Sequence, residues 1–368
     1  MNIAFFVSGL DSGGLENYLL RFLQYKHKSF SNIYVYCKSG RGGQLEPQFL
    51  ELYNVQIIKK YIGYFDIKAL KQLKQIIEQN EIDIICDFTG NFAGLILRTA
   101  RKAGVKKRVS FYRGATDHFK RDPLRRLYNK WVNHLTFKNA TDILSNSKAA
   151  FNYFYPNNWK TDNRFEVIYN GIDATKFTSE QYDLRSEFNI PSDAFVVGHT
   201  GRFNEAKNHK TILLVAERLI EENGDIYFIM CGNGVKINLE THIKKMNLQN
   251  RILVFENRND IPKFLNTMDC YFFPSITEGQ PNALIEAMVM GVPAVASDIE
   301  PIKESIPKEK HEFLLDPLDI NGFIEIIRKI YLSKDFAQKL IYKEWAINNF
   351  NYTEKFEQFY QRLKLIRK

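Results

Sequence analysis

The chain has little of what marks a secreted, metal-binding or membrane-spanning protein. Its four cysteines form no C-x-x-C pair, and each lies in an apolar, strand-like stretch, at Cys37, Cys86, Cys231 and Cys270. No histidine cluster accompanies them, so a zinc-type ligand set is not expected. The start MNIAFFVSGL lacks basic residues, and no run of about 18 apolar residues occurs that would span a bilayer. We therefore predict a cytoplasmic globular protein with reduced core thiols.

Length and hydrophobic pattern predict two domains. At 368 residues with 45% hydrophobic content, the chain is too long for a single core. A strand–helix alternation starts with NIAFFVS, stops in a turn-rich stretch near residues 170–193, and restarts with AFVVGHTG. We predict parallel α/β domains over residues 1–175 and 190–348, followed by a separate helix over 350–368.

Basic residues are concentrated in the first half of the chain. Residues 1–170 contain 26 Lys and Arg against 14 Asp and Glu, a net charge of +12, whereas the remainder has a net charge of −3. Residues 98–130 have only two acids, Asp117 and Asp122. The cations of this segment, called the basic run below, are Arg98, Arg101, Lys102, Lys106, Lys107, Arg108, Arg113, Lys120, Arg121, Arg125, Arg126 and Lys130.

The basic run has three interpretations. Most charge runs form a solvated helix face, while clustered Lys and Arg also bind anionic membranes and nucleic acid. The segment lacks the interleaved exposed aromatics of a base-stacking surface, which argues against a nucleic-acid partner. We favour docking on an anionic membrane surface.

Two loops that follow predicted strands have the composition of phosphate sites. Ligands of open parallel sheets bind at the carboxyl ends of the strands. After the first strand, Gly13 and Gly14 open a helix, where free N–H groups and the positive helix end suit a phosphate. After the first strand of the second domain, Arg202 and Lys207 are placed to approach one anion, and their planar fork and point charge match a diphosphate.

A third loop, in FFPSITEGQPNALIEAMVMGVPAVASD, has two carboxylates separated by seven uncharged residues. Glu278 precedes a helix whose first turn follows Pro281, and Glu286 lies about a turn and a half further along. The N–H groups between them lie at the positive helix end, where a phosphate fits. A carboxylate accepts two hydrogen bonds, which suits a vicinal diol. This segment therefore predicts two diol-binding acids on either side of a phosphate site.

Together, EGQPNALIEA…GVPAVASD, GRFNEAKNHKTIL, VIYNGID and the early SGG resemble the retaining glycosyltransferases of family 4, over essentially the entire chain. The likeness is greatest to the bacterial members that build capsule, exopolysaccharide or lipopolysaccharide. It implies the GT-B fold, with two Rossmann-like α/β domains facing across a cleft and a C-terminal helix returning to the N-terminal domain. The N-terminal domain would bind the acceptor, and the C-terminal domain the nucleotide sugar.

The resemblance also implies residue roles. Glu286 would bind the ribose of a nucleotide, usually UDP, and Glu278 a hydroxyl of the donor sugar. Arg202 and Lys207 would hold the diphosphate, while Gly14 would abut the donor from the other domain.

The base and the phosphates would also contact main chain. The loop over residues 256–261, with Asn257 and Arg258, corresponds to where the family holds the base. Gly13 would accompany Gly14. The start of the E-x7-E helix would contribute Gly279, Gln280, Pro281, Asn282 and Ala283.

The sequence departs from the family at one catalytic position. Family members often have a histidine soon after an N-domain strand, near the donor sugar and acceptor. Here RVSFYRGATDHF places Arg113 directly after the strand and His118 several residues later. His118 is the predicted equivalent, with Arg113 as the alternative phosphate or sugar contact. His199 in its strand is expected to be structural, and His209 to cap or line the phosphate loop.

The expected reaction needs neither metal nor cofactor. No acidic loop of the Asp-x-Asp type calls for Mg²⁺, and the cations and helix end would stabilise the leaving diphosphate. The donor would be a UDP-sugar, and the acceptor a lipid-linked glycan at the inner face of the membrane. Two other functions remain open: a GT-B nucleotide-sugar epimerase or hydrolase, and a non-catalytic protein that binds polyanions or sugar nucleotides.

Overall fold

The chain folds into two α/β units. The structure is a computed structural model that describes residues 1–11, 13–114, 123–178 and 182–364. One unit comprises Met1–Gly171 and the C-terminal stretch from Tyr352, and the other comprises Ile172–Asn351. Each unit has its own parallel sheet, so the predicted fold class is confirmed.

The first unit is built on a seven-stranded parallel sheet in the order β3-β2-β1-β4-β5-β6-β7. Its strands are β1 (Asn2–Val7), β2 (Asn32–Cys37), β3 (Val55–Lys59), β4 (Ile84–Asp87), β5 (Lys107–Tyr112), β6 (Asp142–Ser145) and β7 (Phe165–Val167). Its helices before the crossover to the second unit are α1 (Gly14–Lys26), α2 (Glu46–Leu50), α3 (Ile67–Gln79), α4 (Gly94–Lys102), α5 (Pro123–Asn139) and α6 (Lys148–Phe154).

Alternation along the central strand β1 divides the core of this unit into two layers. Successive side chains of a strand point to opposite faces of the sheet. Phe5 therefore packs in one layer with Phe22 of α1, at 6.1 Å between ring centroids. Phe6 stacks on Tyr36 in the other layer, at 4.9 Å, together with the apolar faces of α3 and α4. Burial on both faces is what a parallel sheet of this kind requires.

The second unit has a five-stranded parallel sheet in the order β10-β9-β8-β11-β12. Its strands are β8 (Phe195–Thr200), β9 (Ile226–Cys231), β10 (Ile252–Phe255), β11 (Cys270–Phe273) and β12 (Ala294–Ala296). Its helices are α7 (Thr175–Thr178), α8 (His209–Glu222), α9 (Val235–Lys245), α10 (Ile261–Asn266), α11 (Asn282–Met290), α12 (Glu300–Lys303), α13 (Ile320–Leu332), α14 (Lys334–Gln338) and α15 (Lys343–Asn349).

The last helix, α16 (Tyr352–Lys364), packs in the first unit. Phe359 lies 4.7 Å from Phe22 of α1, measured between ring centroids, and Phe356 lies 5.4 Å from Tyr18. Lys26 of α1 also pairs with Glu357 at 2.6 Å. An apolar stripe on α16 therefore completes the core layer that α1 begins.

The stretch predicted to be a linker is part of the second unit. Leu184 and Phe188 are buried, and Phe188 stacks on Phe255 of β10 at 4.5 Å between ring centroids. The backbone N–H of Leu184 donates to Thr267 Oγ1 at 2.8 Å. The crossover at Gly171 lies at the start of the predicted stretch 170–193, and the rest of that stretch belongs to the second unit because apolar residues anchor it there. The described chain crosses between units at Gly171 and again before Tyr352.

The four cysteines are free and buried, in agreement with their prediction as core thiols. Among the described residues, no helix combines the length and the apolar content that a bilayer crossing requires.

Candidate functional site

In the second unit, the chain leaves β8 through a tight loop that places Lys207 just before α8. A 3-10 turn covers Glu205–Lys207, and Asn204 caps it by accepting the Lys207 N–H at 3.0 Å. Asn208 then adopts a left-handed conformation at φ +56. Its side-chain amide donates to the carbonyls of Pro274 at 3.1 Å and Pro317 at 2.8 Å. Asn tolerates the left-handed region better than most residues. The hydrogen bonds of this buried amide fix the loop that carries Lys207.

Lys207 and Glu278 form an ion pair in the structure. Lys207 Nζ donates to Glu278 Oε1 at 2.7 Å, and the side chains are only 15% and 12% exposed. The ammonium also lies 4.5 Å from the ring centroid of Phe273, the last residue of β11. The sequence predicted that both residues bind one ligand, and the structure brings them together. In this state, however, each neutralises the other.

Arg202, the second predicted diphosphate ligand, lies apart from this pair. Its side chain is exposed and makes no hydrogen bond or ion pair with any residue that the structure describes. Its guanidinium is therefore available to an incoming anion.

The E-x7-E segment has the predicted geometry of a loop followed by a helix. α11 begins at Asn282, with Pro281 as its N-cap residue. Gln280 and Pro281 are buried, whereas Gly279, Asn282 and Ala283 are partly exposed. The N–H of Asn282 is already bonded to the Gln280 carbonyl at 3.0 Å. A phosphate at this helix end would therefore depend on the other N–H groups of the first turn.

Glu286 lies in the second turn of α11, the helix that follows β11. The predicted base loop follows β10, and both strands belong to the parallel sheet of the second unit. The predicted ribose ligand and the predicted base loop therefore lie at the same carboxyl edge of that sheet. Burial raises the pKa of the Cys231 thiol, at the end of β9, to about 12; Arg258 lowers this pKa by a smaller amount, and Asp260 and Glu286 raise it slightly.

In the predicted base loop, residues 256–261, the Arg258 side chain is held by protein carboxylates. The Arg258 guanidinium donates two hydrogen bonds to the Asp260 carboxylate, at 2.7 and 2.6 Å, and a third to Glu187 at 3.2 Å. It also lies 5.1 Å from the ring centroid of Phe188. The side chain of Arg258 thus closes the loop, while Asn257 is exposed. A direct contact between the Arg258 side chain and a base would require these bonds to break.

Two buried histidines lie behind the Lys207 loop. His199 in β8 and His209 at the start of α8 are 5.2 Å apart between ring centroids. His199 Nδ1 bonds to the Phe272 carbonyl at 2.9 Å, and its Nε2 has no hydrogen-bond partner among the described residues. Burial first, and then the nearby Lys207 cation, lower the pKa of His209 to about 4. Both imidazoles are therefore neutral at physiological pH, since burial also lowers the pKa of His199.

In the first unit, the turn before α1 is occupied by a carboxylate. Gly13 is the N-cap residue and Gly14 the first residue of α1. A Cβ built on Gly13 would lie 2.4 Å from Glu16 Oε2. The Glu16 side chain thus folds back over residue 13, and a larger residue at this position would displace its flexible carboxylate. A phosphate that binds at this helix end must compete with Glu16, which the sequence analysis did not anticipate.

Arg113 follows β5 and forms no ion pair with a carboxylate of the described residues. Its guanidinium carbon lies 4.0 Å from the ring centroid of Tyr18 and 5.0 Å from that of Phe111. Within the part of the chain that the structure describes, neither its buried Nη1 atom nor the buried Tyr18 hydroxyl has a hydrogen-bond partner. Burial lowers the pKa of Arg113 to about 10. His118, the other candidate at this position, lies outside the described residues.

A polar cluster that the sequence analysis missed lies at the ends of β2 and β4. Lys38 Nζ donates to Thr89 Oγ1 at 2.7 Å and lies 3.5 Å from the fully buried carboxylate of Asp87. Asp87 Oδ1 in turn accepts the Thr89 N–H at 2.7 Å. Burial lowers the pKa of Lys38, which the Asp87 charge opposes. The sequence contains a signal for this polar cluster, because Lys38 and Asp87 each end an otherwise apolar run.

Two family models match the sequence, one in each half. Residues 12–176 match the model Glycosyltransferase Family 4, and residues 180–344 match the model Glycosyl transferases group 1. The chain belongs to glycosyltransferase family 4. The family that the motifs predicted is thereby confirmed.

Individual glycosyltransferases resemble the chain over most of its length. The UDP-Gal:alpha-D-GlcNAc-diphosphoundecaprenol alpha-1,3-galactosyltransferase of Escherichia coli is 27% identical over 323 residues, which cover 83% of this chain and 79% of the relative. The capsular polysaccharide biosynthesis glycosyltransferase CapH of Staphylococcus aureus is 26% identical over 371 residues, covering 89% and 97%. Anabaena Alr3699/HepE, crystallised in complex with UDP, has a TM-score of 0.81 at 20% identity and 99% coverage of both chains. The fold of this glycosyltransferase is therefore that of the GT-B class.

The basic run of the glycosyltransferase does not form one surface. Lys107 is buried and pairs with Asp142 at 2.6 Å. Arg108 donates to the Asn139 carbonyl at 2.7 Å. Both residues hold β5 and its neighbours in place. The prediction that residues 98–130 act together as a docking surface is wrong for these residues, because a charge in the sequence does not reveal its burial.

The exposed cations of the run lie at opposite edges of the sheet. Because α4 links two parallel strands, it runs from the carboxyl edge to the amino edge. Exposed Arg101, Lys102 and Lys106 therefore lie at or near the amino edge. The first turns of α5 follow the carboxyl end of β5, and they carry the exposed Arg125 and Arg126, with Lys130 a turn further on. Lys120 and Arg121 are outside the described residues.

Proposed function

We propose that this glycosyltransferase transfers a hexose or N-acetylhexosamine from a UDP-sugar to a lipid-linked or polysaccharide-precursor acceptor, with retention of anomeric configuration, in bacterial cell-surface glycan synthesis. The names of the relatives support this proposal. The Escherichia coli relative is named for UDP-Gal and a diphosphoundecaprenol-linked sugar, CapH for capsule, and HepE was crystallised with UDP.

The observation that carries the proposal is the Lys207–Glu278 ion pair at the strand ends of the second unit. Two half-buried opposite charges at 2.7 Å form a site that is neutral before the donor binds. A diphosphate would attract Lys207 away from Glu278, since it carries more negative charge than one carboxylate. The freed carboxylate would then accept hydrogen bonds from the donor sugar. One exchange thus places both charges on the substrate.

The chemistry would depend on stabilising the leaving group. Cleavage of a sugar–phosphate bond produces an oxocarbenium-like sugar and a negative diphosphate. Lys207, the exposed Arg202 and the first turn of α11 would take up that charge without a metal. The sequence offers no carboxylate nucleophile for the opposite sugar face. We therefore propose front-side attack, in which a diphosphate oxygen takes the proton of the acceptor hydroxyl.

The nucleotide would be held by the remaining second-unit residues. Glu286 of α11 would bind the ribose hydroxyls, and the loop with Asn257 and Arg258 would hold the base. Because the Arg258 side chain is committed to Asp260 and Glu187, we assign its contribution to the position of the loop. Main-chain groups between Gly279 and Ala283 would contact the phosphates.

The first unit would supply groups near the reacting bond. Gly13 and Gly14 would abut the donor, as in the family. Arg113 has a desolvated guanidinium that no described carboxylate neutralises, which favours a phosphate as its partner. His118 remains the alternative for contact with the donor sugar. Association with the cytoplasmic face of a membrane belongs to the same proposal.

A donor panel with lipid-linked acceptors tests the proposal. UDP release from UDP-glucose, UDP-galactose and their N-acetyl forms should require acceptor, and proton NMR of the product should show the anomeric configuration of the donor. EDTA should leave the rate unchanged. Rapid turnover of donor alone would instead identify a hydrolase or epimerase. Failure to bind UDP-sugars, combined with binding of nucleic acid, would reject the enzyme.

A further inference from the structure

Helix α5 presents a second apolar stripe away from the protein core. Its buried stripe is formed by Val132, Leu135 and Thr136 in its second half. In its first half, Leu124 and Leu127 are 78% and 68% exposed. Together with the partly exposed Trp131, they recur at i, i+3 and i+7, which places them on one helix face. A helix that only closed a core would have charged residues there.

The loop between β3 and α3 adds exposed aromatic rings to this stripe. Tyr64 lies 5.0 Å and Phe65 4.9 Å from Tyr128 of α5, measured between ring centroids. Phe65 also stacks on Trp131 at 5.5 Å. Although they pack together, Tyr64 and Phe65 remain 65% and 61% exposed. The rings and the stripe on α5 therefore form one continuous apolar surface.

The backbone is strained where it presents Phe65. Phe65 adopts φ +53, a left-handed conformation that is rare and unfavourable for a bulky side chain. Asp66 directly after it caps α3 by accepting the Ala69 N–H at 2.9 Å, which holds the turn in this form. The fold thus tolerates strain in order to place a large aromatic ring in solvent. Strain that is retained in this way occurs preferentially at functional sites.

Cations surround this apolar surface. Arg125 and Arg126 alternate with the leucines along α5, and Lys130 precedes Trp131. Lys68 lies next to the exposed Ile67 at the start of α3. Aromatic and aliphatic side chains flanked by Lys and Arg have the composition of a bilayer interface, where the rings enter the headgroup region and the cations meet lipid phosphates. A contiguous exposed apolar surface on a single chain also marks an interaction site.

We propose that Tyr64, Phe65, Leu124, Leu127 and Trp131, here called the α5 patch, insert into the interface of an anionic lipid bilayer. This inference rests on the proposed function, because a lipid-linked acceptor has to be met at a membrane. It changes the mode of docking, from attraction by the whole basic run to insertion of one apolar surface at the carboxyl edge of the first sheet. Arg101, Lys102 and Lys106, at the other edge, take no part.

The position of the α5 patch has a functional consequence. The ligands of a parallel α/β sheet bind at its carboxyl edge. The loop after β3 and the start of α5 both lie at that edge, as does Arg113 after β5. Insertion there would bring the lipid surface to the side of the unit on which an acceptor diphosphate is expected.

Two variant pairs with matched controls test the inference on the full-length protein. Phe65→Gly with Leu127→Ser removes apolar surface and relieves the strained backbone, and Ile237→Ser with Leu332→Ser removes equally exposed apolar residues elsewhere. Arg125→Glu with Arg126→Glu reverses charge at the patch. Its control is Arg101→Glu with Lys102→Glu, which changes the net charge of the chain by the same amount.

The measurement is partitioning onto vesicles of phosphatidylcholine containing 30 mol% phosphatidylglycerol (roughly the anionic content that attracts basic segments). Each patch variant should bind the vesicles more weakly than wild type, by about tenfold or more. For the charge-reversal pair, the reason is that one nearby cation changes affinity about fivefold. Both controls should stay within about twofold of wild type. Brominated phosphatidylglycerol should quench the tryptophan fluorescence, and Trp131→Phe should remove most of that quenching. Pure phosphatidylcholine should bind weakly.

Three results would overturn the inference. The first is an equal loss in the charge-reversal control, which would mean attraction by the whole basic run. The second is partitioning of wild type that does not depend on the patch. The third is lipid-free, concentration-dependent dimerisation that Phe65→Gly with Leu127→Ser abolishes, because the patch would then bind a second copy. Circular dichroism of each variant separates all of these from misfolding.

The inference and the proposed function can fail separately. UDP binding, measured by titration calorimetry without lipid, reports the second-unit site and should be the same in wild type and in all four variants. Loss of partitioning with intact UDP binding supports the α5 patch. Partitioning of a wild type that binds no UDP-sugar would preserve the membrane surface and reject the proposed donor.

Discussion

The two units differ in the groups that contact the cation following a strand end. In the second unit, Lys207 is neutralised by Glu278 at 2.7 Å. In the first unit, Arg113 lies against the rings of Tyr18 and Phe111 and has no carboxylate partner among the described residues. Lys207 is therefore neutralised without substrate, whereas the described residues offer no ion-pair partner to Arg113.

This difference indicates how each cation would use its charge. Lys207 would exchange the Glu278 carboxylate for the donor diphosphate. An anion therefore offsets the desolvation of its ammonium both with and without the donor. Arg113 has aromatic rings on one side and an unsatisfied buried Nη1, an arrangement that is unfavourable until an anion arrives. We infer that Arg113 contributes to function at the expense of stability, whereas Lys207 contributes to both.

The largest expected effect is at the paired cation. Lys207→Ala should lower UDP release by roughly 10²- to 10³-fold, because the leaving diphosphate loses its main positive charge. It should also lower the free energy of unfolding by about 1–3 kcal/mol, since Glu278 would remain half-buried without a partner. Stopped assays of UDP release and denaturant unfolding measure the two effects.

Lys210→Ala is the matched control for this prediction. Lys210 is exposed one helical position after His209, so its loss should change neither quantity. Near wild-type turnover in Lys207→Ala would show that the pair is only structural. Equal losses in the two variants would show a general effect of positive charge.

A smaller effect of opposite sign on stability is expected at Arg113. Arg113→Met keeps much of the contact with the rings and removes the charge. We expect kcat/KM to fall about tenfold or more, the value of one charge-assisted hydrogen bond to phosphate, while the free energy of unfolding rises by about 1 kcal/mol. Arg113→Lys should recover part of the activity. Activity and stability that fall together would show that Arg113 is an ordinary structural residue.

The variants also distinguish which substrate Arg113 contacts. A rise in KM for the donor would assign Arg113 to the donor diphosphate, and a rise in KM for the acceptor would assign it to the acceptor. Arg101→Met removes an exposed arginine at the other sheet edge and should alter neither constant.

The fold and the second-unit site were largely accessible from the sequence. Apolar strands that alternate with amphipathic helices specify a parallel sheet, and the residues that follow such strands must lie at its carboxyl edge. Glu278 and Lys207 were therefore placed near one ligand by their positions alone. Their ion pair was not foreseen, because it depends on distances between loops that are 71 positions apart.

What the sequence concealed depends on burial and on the direction of side chains. Lys107 reads as one cation of a basic run, yet it is buried against Asp142. Leu124 and Leu127 of α5 are exposed, which the sequence does not reveal. Glu16 reads as an ordinary first-turn acid, yet it folds over Gly13. In each case, only tertiary packing determines which face of an element is covered.

The remaining prediction is a pH dependence of stability on the second-unit side of the comparison, with no expected effect on activity near neutral pH. His209 has a folded-state pKa of about 4 against an ordinary value of 6.5, with burial as the main cause. The unfolded chain therefore binds this proton first as the pH falls. The resulting stability is complete above about pH 6.5 and is lost progressively toward pH 4, by at most about 3 kcal/mol.

Unfolding by urea at several pH values between 4.5 and 7 would measure this loss. His209→Gln should flatten the dependence, leaving the share of His199, whose pKa burial also lowers. His242→Gln, at an exposed position on α9, should leave the dependence unchanged. A wild-type stability that is constant across this range would mean that His209 binds its proton as readily in the folded as in the unfolded chain. A positive imidazolium would then lie beside Lys207 in the lower part of the range, and the second-unit site would be neutral only near pH 7.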